Sequence, residues 1–222
     1  MADHLQEEEQ IDAIKQWWQE NKVSVIGAIV LTLGGSFGWS QYQDYTSATA
    51  ITAADTYDEI LLERASGESA DQLAMLADTI RDENGSVAFA EFASLQVAAA
   101  AAEEGQFERA QIELEKVMAG VEVDSTLGQL VQLRLAKVKA ALGQEQAAIA
   151  ILELGSDSFP VSYAQALGDL HLAAGREAAA LEAYQTAKTA SLMLGGQSGL
   201  IDLKVSGLSL RTEPSASEDA PQ

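Results

Sequence analysis

The side chains best suited to chemistry in this 222-residue chain are its two histidines and its carboxylates. Asp169 and His171 stand two positions apart. On a helix this spacing points two side chains to different sides, so they do not form an orienting acid–base pair. His4 lies far away near the N-terminus, and cysteine is absent, which excludes disulfides, thiolate metal sites and a cysteine nucleophile. We therefore interpret His171 as a packing residue and expect no catalytic site.

Two carboxylate runs could in principle recruit a cation, Glu7-Glu8-Glu9 and Glu103-Glu104. Runs of this kind are usually solvated helix faces, so we do not expect them to hold a metal ion. The sequence also contains no phosphate-binding loop, dinucleotide fingerprint, zinc-protease motif or nucleophile elbow. We expect a protein that is not an enzyme and that binds no metal and no cofactor.

The charge balance excludes one class of partner. Thirty-four acidic residues against 13 basic ones give a net charge of −21. Phosphate backbones and anionic headgroups repel such a chain, so we expect no nucleic acid partner. The acid is spread along the sequence and favours solubility, while scarce proline and abundant alanine favour helix throughout.

Residues 23–43 contain no charged side chain. Twenty-one residues form about 31 Å of helix, enough to cross the hydrocarbon core of a bilayer. A cleaved signal peptide is disfavoured because residues 1–22 are net acidic and the small-residue site at Ala48-Thr49-Ala50 lies too far downstream. A buried core helix is rarely uncharged for so long, and an interfacial helix needs a charged face. We predict a transmembrane helix in contact with the lipid bilayer.

Basic residues set the expected orientation of this helix. Lys15 and Lys22 precede it closely, whereas the next basic residue is Arg64. The positive-inside rule then places residues 1–22 in the cytoplasm and exports the remainder.

Three glycines, at positions 27, 34 and 38, fall near one face of the predicted span. A stripe formed by Gly27, Gly34 and Gly38 would let another helix approach closely. The alternative is the ordinary glycine content of a membrane helix.

The part of the chain that follows the predicted transmembrane helix contains internal sequence repeats. Gly105, Gly143 and Gly175 are separated by 38 and 32 residues, close to the 34-residue period of tetratricopeptide repeats. Each glycine has a small residue seven positions before it, an alanine five positions after it and a large residue nine positions after it: Ala98, Ala110 and Leu114; Ala136, Ala148 and Leu152; Gly168, Ala180 and Tyr184. Small residues at facing positions let two helices pack closely, and glycine at the corner ends the first helix. The alternative is a chance match in an alanine-rich sequence.

We therefore predict an all-α fold, in which a single transmembrane helix is followed by an α-solenoid of degenerate tetratricopeptide-like helical hairpins. The expected segments are 1–22 in the cytoplasm, 23–43 in the membrane, 44–210 in the repeat domain and 211–222 as a disordered acidic tail. Leu200 to Leu210 offers a closing helix or strand over the exposed end of the stack.

A stack of hairpins presents a concave face lined by the first helix of each pair. On the repeat register the candidate protein-binding groove comprises Phe92, Leu95, Ala99, Leu133, Lys137, Gln165 and Asp169. This set lacks the clustered lysine, arginine and asparagine that would clamp a chain terminus, so it favours extended or partly unfolded apolar segments. The alternative is that these residues pack internally and bind nothing.

Several segments in their order along the chain resemble one known family. These are Ala13-Ile14-Lys15-Gln16-Trp17-Trp18, Gly38-Trp39, Leu133-Arg134-Leu135-Ala136-Lys137-Val138 and Leu203-Lys204-Val205. Over about residues 7–210 the chain resembles the YfgM-like family, ancillary subunits of the bacterial SecYEG translocon with a tetratricopeptide-like periplasmic domain. The acidic Ser/Pro tail departs from that family pattern.

The resemblance implies a single-pass protein of the bacterial inner membrane, with a cytoplasmic N-terminus and a periplasmic C-terminal domain. It implies a non-enzymatic adaptor at the SecYEG translocon, which assists a membrane-anchored periplasmic prolyl-isomerase-type chaperone with exported client polypeptides. It also implies a contact between the N-terminal segment and a cytoplasmic response regulator. The alternative function is a scaffold for envelope assembly or cell division that uses the same anchor and repeats.

Overall fold

The structure is a computed structural model that describes residues 2–83 and 87–212. All regular secondary structure in these two ranges is α-helical, as the sequence predicts. The helices are α1 (Ala2–Ser66), α2 (Ala70–Glu83), α3 (Val87–Glu103), α4 (Phe107–Gly120), α5 (Thr126–Ala141), α6 (Glu145–Glu153), α7 (Pro160–Ala173), α8 (Glu177–Met193) and α9 (Gly199–Thr212).

The chain divides into two compact units, Met1–Thr52 and Ala53–Gln222, with the boundary inside α1. In the first unit, large apolar side chains such as Val23, Leu31 and Phe37 are exposed. The helix is long and apolar enough to cross a membrane, with a mean hydropathy of 1.6 in its most apolar window and no part of that window buried.

The second unit is built from helical hairpins whose corners share one geometry. Gly105, Gly143 and Gly175 have φ values of +76°, +74° and +74°, as the repeat pattern predicts. After each glycine, the next amide donates to the carbonyl five positions back, at 2.7 Å (Gln106 to Ala101), 2.8 Å (Gln144 to Lys139) and 2.9 Å (Arg176 to His171). This bond closes the Schellman motif that ends a helix with a left-handed residue. The three corners are therefore structural repeats of one another.

The small residues of the pattern lie where paired helices meet. All nine marker residues around the three corner glycines are buried. In the third copy a Cβ placed on Gly168 would lie 2.6 Å from Cε1 of Tyr184, which shows how closely α7 and α8 approach. The predicted packing register of the hairpins is thus present in the structure.

Within residues 2–83 and 87–212, the buried side chains form three clusters along the stack. The largest joins the end of α1 to α2, α3, α4 and α5 through residues such as Ile60, Leu73, Val97 and Leu114. The second joins α5, α6 and α7, and the third joins α8 to α9 with partly buried residues of α7 packed against it. Each cluster lies between successive hairpins, which is the arrangement of an α-solenoid.

Helix α9 closes the stack by packing on α8 through Ile201 and Leu208. The sequence predicts either a helix or a strand for Leu200 to Leu210, and the structure has a helix there. It runs to Thr212, beyond the predicted end of the domain at residue 210. Residues 213–222 of the predicted acidic tail lie outside the described part of the chain.

Candidate protein-binding groove

The seven residues predicted to line a groove occupy two environments. Phe92, Lys137 and Asp169 are exposed, and Ala99 and Gln165 are half-buried. Leu95 and Leu133 are only 6% and 5% exposed and lie in the hydrophobic clusters.

On α5 the sequence assigns Leu133 to the groove, but the residue that lines the open surface is its neighbour, Arg134. Leu133 packs in the second cluster with Leu152 of α6 and Tyr163 of α7, so its side of α5 faces those two helices. The next residue, Arg134, instead lines an open cavity together with Lys137 and Val138. Since residues three and four apart share a helix face, the 134–137 spacing could have identified Arg134 from the sequence.

The alternative of internal packing applies to Phe92 in part. Its ring lies 6.3 Å from that of Tyr57, which belongs to the last turns of α1, and Tyr57 also meets Phe89 at 5.9 Å. Phe92 nevertheless keeps 42% of its surface exposed. This end of the predicted groove is therefore an aromatic cluster in which the ring of Phe92 is accessible.

A polar network continues from that cluster along α3. Gln96 donates to the Tyr57 hydroxyl at 3.1 Å and accepts a hydrogen bond from Arg64. The other end of the Arg64 guanidinium donates to Glu103 Oε1 at 2.8 Å. Arg64 thus joins α1 to α3 and neutralises the carboxylate of Glu103.

Between α3 and α5 lies a cavity of about 410 Å³ that is open to solvent. Two of the predicted groove residues, Ala99 and Lys137, meet in it. Its complete lining is Ala98, Ala99, Ala102, Glu103, Leu114, Arg134, Lys137 and Val138. The cavity is within the size range of small-ligand and side-chain pockets, with apolar walls and charged groups of both signs.

Two cations of this cavity are not paired. In the ranges that the structure describes, neither Arg134 nor Lys137 forms an ion pair or a side-chain hydrogen bond. Burial and the nearby positive charge of Arg64 lower the pKa of Arg134. The sequence predicts no cluster of basic residues on this face. The fold creates such a cluster, because Arg64 of α1 lies near Arg134 and Lys137 of α5.

At the other end of the predicted groove, Asp169 is already engaged. Its Oδ1 accepts a hydrogen bond of 2.5 Å from the hydroxyl of Tyr184 and pairs with the ammonium of Lys204. Burial, followed by the hydrogen bond and the negative charge of Asp169, raises the pKa of Tyr184. Asp169 therefore ties α7, α8 and α9 together and is not a free ligand group.

The histidine expected to be a packing residue makes its own local contact. His171 Nδ1 accepts a hydrogen bond from Arg176 Nε at 3.0 Å, whereas Asp169 has different partners. Within the described residues, no group of three histidine, cysteine, aspartate or glutamate side chains converges on a possible metal position.

The glycine stripe of the first unit is open. A Cβ placed on Gly27, Gly34 or Gly38 would meet no atom within 4 Å. A side of the helix with this much space could accept the close approach of a second helix.

Alternating hairpins, left-handed corner glycines and small-residue contacts define a tetratricopeptide-type helical repeat protein. Residues 15–209 match the family described as "Tetratricopeptide repeat-like domain". Three curated relatives each carry the name "Ancillary SecYEG translocon subunit". The relative from Haemophilus influenzae is 30% identical, over 89% of this chain and 96% of its own length. Those from Aggregatibacter actinomycetemcomitans and Escherichia coli are 32% and 24% identical, over 85% and 92% of this chain and 91% and 97% of their own lengths. The chain belongs to the family of ancillary SecYEG translocon subunits, as the sequence resemblance indicates.

A solved structure supports the fold alone. The Bacillus thuringiensis protein PlcR, crystallised with the peptide PapR7 and DNA, superposes with a TM-score of 0.53 at 13% identity. The match covers 73% of this chain and 63% of the length of PlcR.

Proposed function

We propose that this protein is a non-enzymatic, membrane-anchored adaptor at the protein-export translocon. In this role it works beside SecYEG and a membrane-anchored periplasmic prolyl-isomerase-type chaperone, and it assists newly exported polypeptides. The observation that carries the proposal is the match to three relatives named for the translocon, each over at least 91% of its own length.

The proposed anchor is residues 23–43, in a single pass through the bacterial inner membrane. Its apolar side chains are exposed, which lipid would cover. Its only threonine, Thr32, donates its hydroxyl to the carbonyl of Ala28 at 2.8 Å, so this polar group is satisfied within the helix. Such internal pairing is what a hydrocarbon environment requires.

The proposed topology places residues 1–22 in the cytoplasm and the repeat domain, residues 44–210, in the periplasm. It follows from the charge bias of Lys15 and Lys22. A C-terminal alkaline phosphatase fusion should be active, and a C-terminal fusion to a reporter that folds only in the cytoplasm should be inactive. The reverse pair of activities would overturn the topology. Lys15→Glu combined with Lys22→Glu should raise the fraction of inverted molecules.

The partner proposal is tested by mild-detergent extraction of the full-length tagged chain, followed by affinity purification and mass spectrometry. We expect SecYEG subunits and a periplasmic prolyl-isomerase-type chaperone in the eluate. Recovery of division or cell-wall proteins without translocon subunits would instead support the scaffold alternative.

A variant with leucine at Gly27, Gly34 and Gly38 tests whether the helix stripe contacts the translocon. It should remain in the membrane and lose SecYEG, because larger side chains hold a neighbouring helix away. A control variant with leucine at Val25, Thr32 and Ser36 also increases bulk, but on the side of the helix opposite the glycines. Equal recovery of SecYEG with both variants would reject the glycine contact.

We assign client contact to the groove of the repeat domain. A photo-crosslinking amino acid at Ala99 should capture exported polypeptides, while one at Ala178, exposed on α8, should capture few. Equal capture at the two positions would remove the groove from the proposal.

Residues 1–22 would carry the contact with a cytoplasmic response regulator. Deletion of residues 2–12 should remove that regulator from the eluate and leave the translocon subunits in place. An unchanged eluate would reject this contact.

A further inference from the structure

The cavity between α3 and α5 combines features that point to one ligand chemistry. We propose that it binds an acidic side chain within an extended polypeptide segment, with Arg134 and Lys137 holding the carboxylate and the alanine walls accepting a small apolar neighbour. This inference rests on the proposed function, in which the repeat domain contacts exported chains.

The local charge of the cavity is opposite to that of the protein. The chain carries a net charge of −21, yet two cations, Arg134 and Lys137, and one anion, Glu103, line this cavity. Glu103, the anion, is paired with Arg64 at 2.8 Å. The positive charges of Arg134 and Lys137 are not compensated by a neighbouring carboxylate, which favours an anionic ligand.

The two cations are placed to act together. They are three positions apart on α5 and line the same cavity, so both side chains can reach one carboxylate. Arg134 is half-buried, and its partial desolvation strengthens any charge-assisted hydrogen bond that it forms. The lowered pKa of Arg134, caused by burial and by Arg64, indicates a guanidinium whose positive charge is not compensated.

The apolar walls of the cavity determine which side chain of the ligand can lie next to the bound carboxylate. Its walls include Ala98, Ala99, Ala102, Leu114 and Val138, and its volume is about 410 Å³. Alanine walls leave room for a small or medium apolar side chain, which would bury its surface there. Because the cavity is open to solvent, a continuous segment can pass across it, and we assign the carboxylate to a residue inside that segment.

The test uses the full-length protein in detergent and a fluorescent peptide with blocked termini, acetyl-Gly-Ser-Ala-Val-Glu-Val-Ala-Ser-Gly-amide. Its partner peptide has glutamine in place of the glutamate. The acidic peptide should bind about tenfold more tightly than its glutamine analogue, the effect of losing one charge-assisted hydrogen bond. Binding of the acidic peptide should weaken on raising the salt from about 50 to about 500 mM, because exposed charges are screened.

Two double variants, one inside and one outside the cavity, distinguish the effect of charge at the cavity from the effect of the net charge of the protein. Arg134→Gln with Lys137→Gln should remove the preference for glutamate, whereas Lys116→Gln with Lys188→Gln, two cations outside the cavity, should keep it. Glu103→Gln should tighten binding of the acidic peptide, since it removes the only anion of the lining and releases Arg64. This last variant loses no cavity cation and keeps the test valid if the double variant unfolds.

The outcomes distinguish the inference from the function on which it rests. Equal binding of the glutamate and glutamine peptides would overturn the acidic-ligand inference and leave client binding by the groove intact. A preference for glutamate that survives the double cavity variant would also overturn it. The glutamine peptide with a free C-terminal carboxylate serves as a third probe, and binding of that peptide alone would replace the proposed ligand with a chain end. Failure of both blocked peptides to bind, with Ala99 crosslinking no exported chain, would overturn the groove function as well.

Discussion

The ring of Tyr184 occupies the space that a side chain at Gly168 would fill. A Cβ built on Gly168 would lie 2.6 Å from Tyr184 Cε1 and 2.7 Å from Cδ1. The ring cannot easily move aside, because it is fully buried and its hydroxyl is held by Asp169. Glycine at this position is therefore required by the packing of α7 on α8, even though glycine weakens a helix.

Gly168→Ala should lower the stability of the domain. Overpacking costs about 1–3 kcal/mol, and the better helix propensity of alanine returns about 0.5–1 kcal/mol of this. The expected net loss is about 1 kcal/mol, measured as the thermal midpoint of the full-length protein in mild detergent. Gly207→Ala is the matched control: this exposed glycine in α9 has no atom within 4 Å of a built Cβ, so alanine should stabilise. A rise in the midpoint for both variants would contradict the packing argument.

Ala180→Leu tests the same interface from the opposite helix. Ala180 is fully buried in α8, so the added carbons should overpack the contact and cost about 1–3 kcal/mol. Ala178→Leu adds the same carbons at an exposed position of the same helix and should change stability by less than about 0.5 kcal/mol. Chemical denaturation of the two variants in parallel measures the difference. Equal midpoints would mean that residue 180 does not face α7.

The sequence was sufficient for the hairpins because their markers are local. Gly105, Gly143 and Gly175 act on the residues next to them in the chain, and the small residues at fixed offsets follow from helix geometry. Nothing local could place Arg64 beside Glu103, 39 positions later, because that contact depends on how α1 packs on α3.

The groove was predicted less completely than the fold for the same reason. Choosing Leu133 in place of Arg134 is a one-residue error, which turns a helical side chain by about 100°. The buried position of Leu133 depends on α6 and α7, which pack against it. The unpaired cations of the cavity became visible only when the partners of all neighbouring charges were known.

Gly143→Ala should destabilise the corner between α5 and α6. The φ value of Gly143 is +74°, a left-handed conformation that costs an L-residue with a Cβ about 1–2 kcal/mol. No atom lies within 4 Å of a Cβ built there, so the loss reports backbone conformation and not crowding. Gly143→Asn should cost less, because asparagine adopts this conformation more readily. Urea unfolding monitored by circular dichroism checks both, and an asparagine variant less stable than the alanine variant would contradict the prediction.

Tyr184→Phe should change how the stability of the domain depends on pH. Burial and the contact with Asp169 raise the pKa of Tyr184 in the folded protein, while an unfolded tyrosine ionises near pH 10. The folded state therefore holds this proton more tightly. The resulting stabilisation is complete below about pH 10 and declines as the pH rises, because the unfolded state then gains free energy by ionising.

Phenylalanine at position 184 removes both the hydrogen bond to Asp169 and this ionisation. The variant should be less stable than the wild type at neutral pH by about 1 kcal/mol, and the difference should shrink above about pH 10. Urea midpoints at several pH values between about 7 and 11 measure it. Tyr163→Phe provides a comparison, because burial raises the pKa of Tyr163 too and the difference should shrink in the same direction. A difference between wild type and Tyr184→Phe that stays constant across this range would mean that residue 184 ionises equally easily in the folded and unfolded chains.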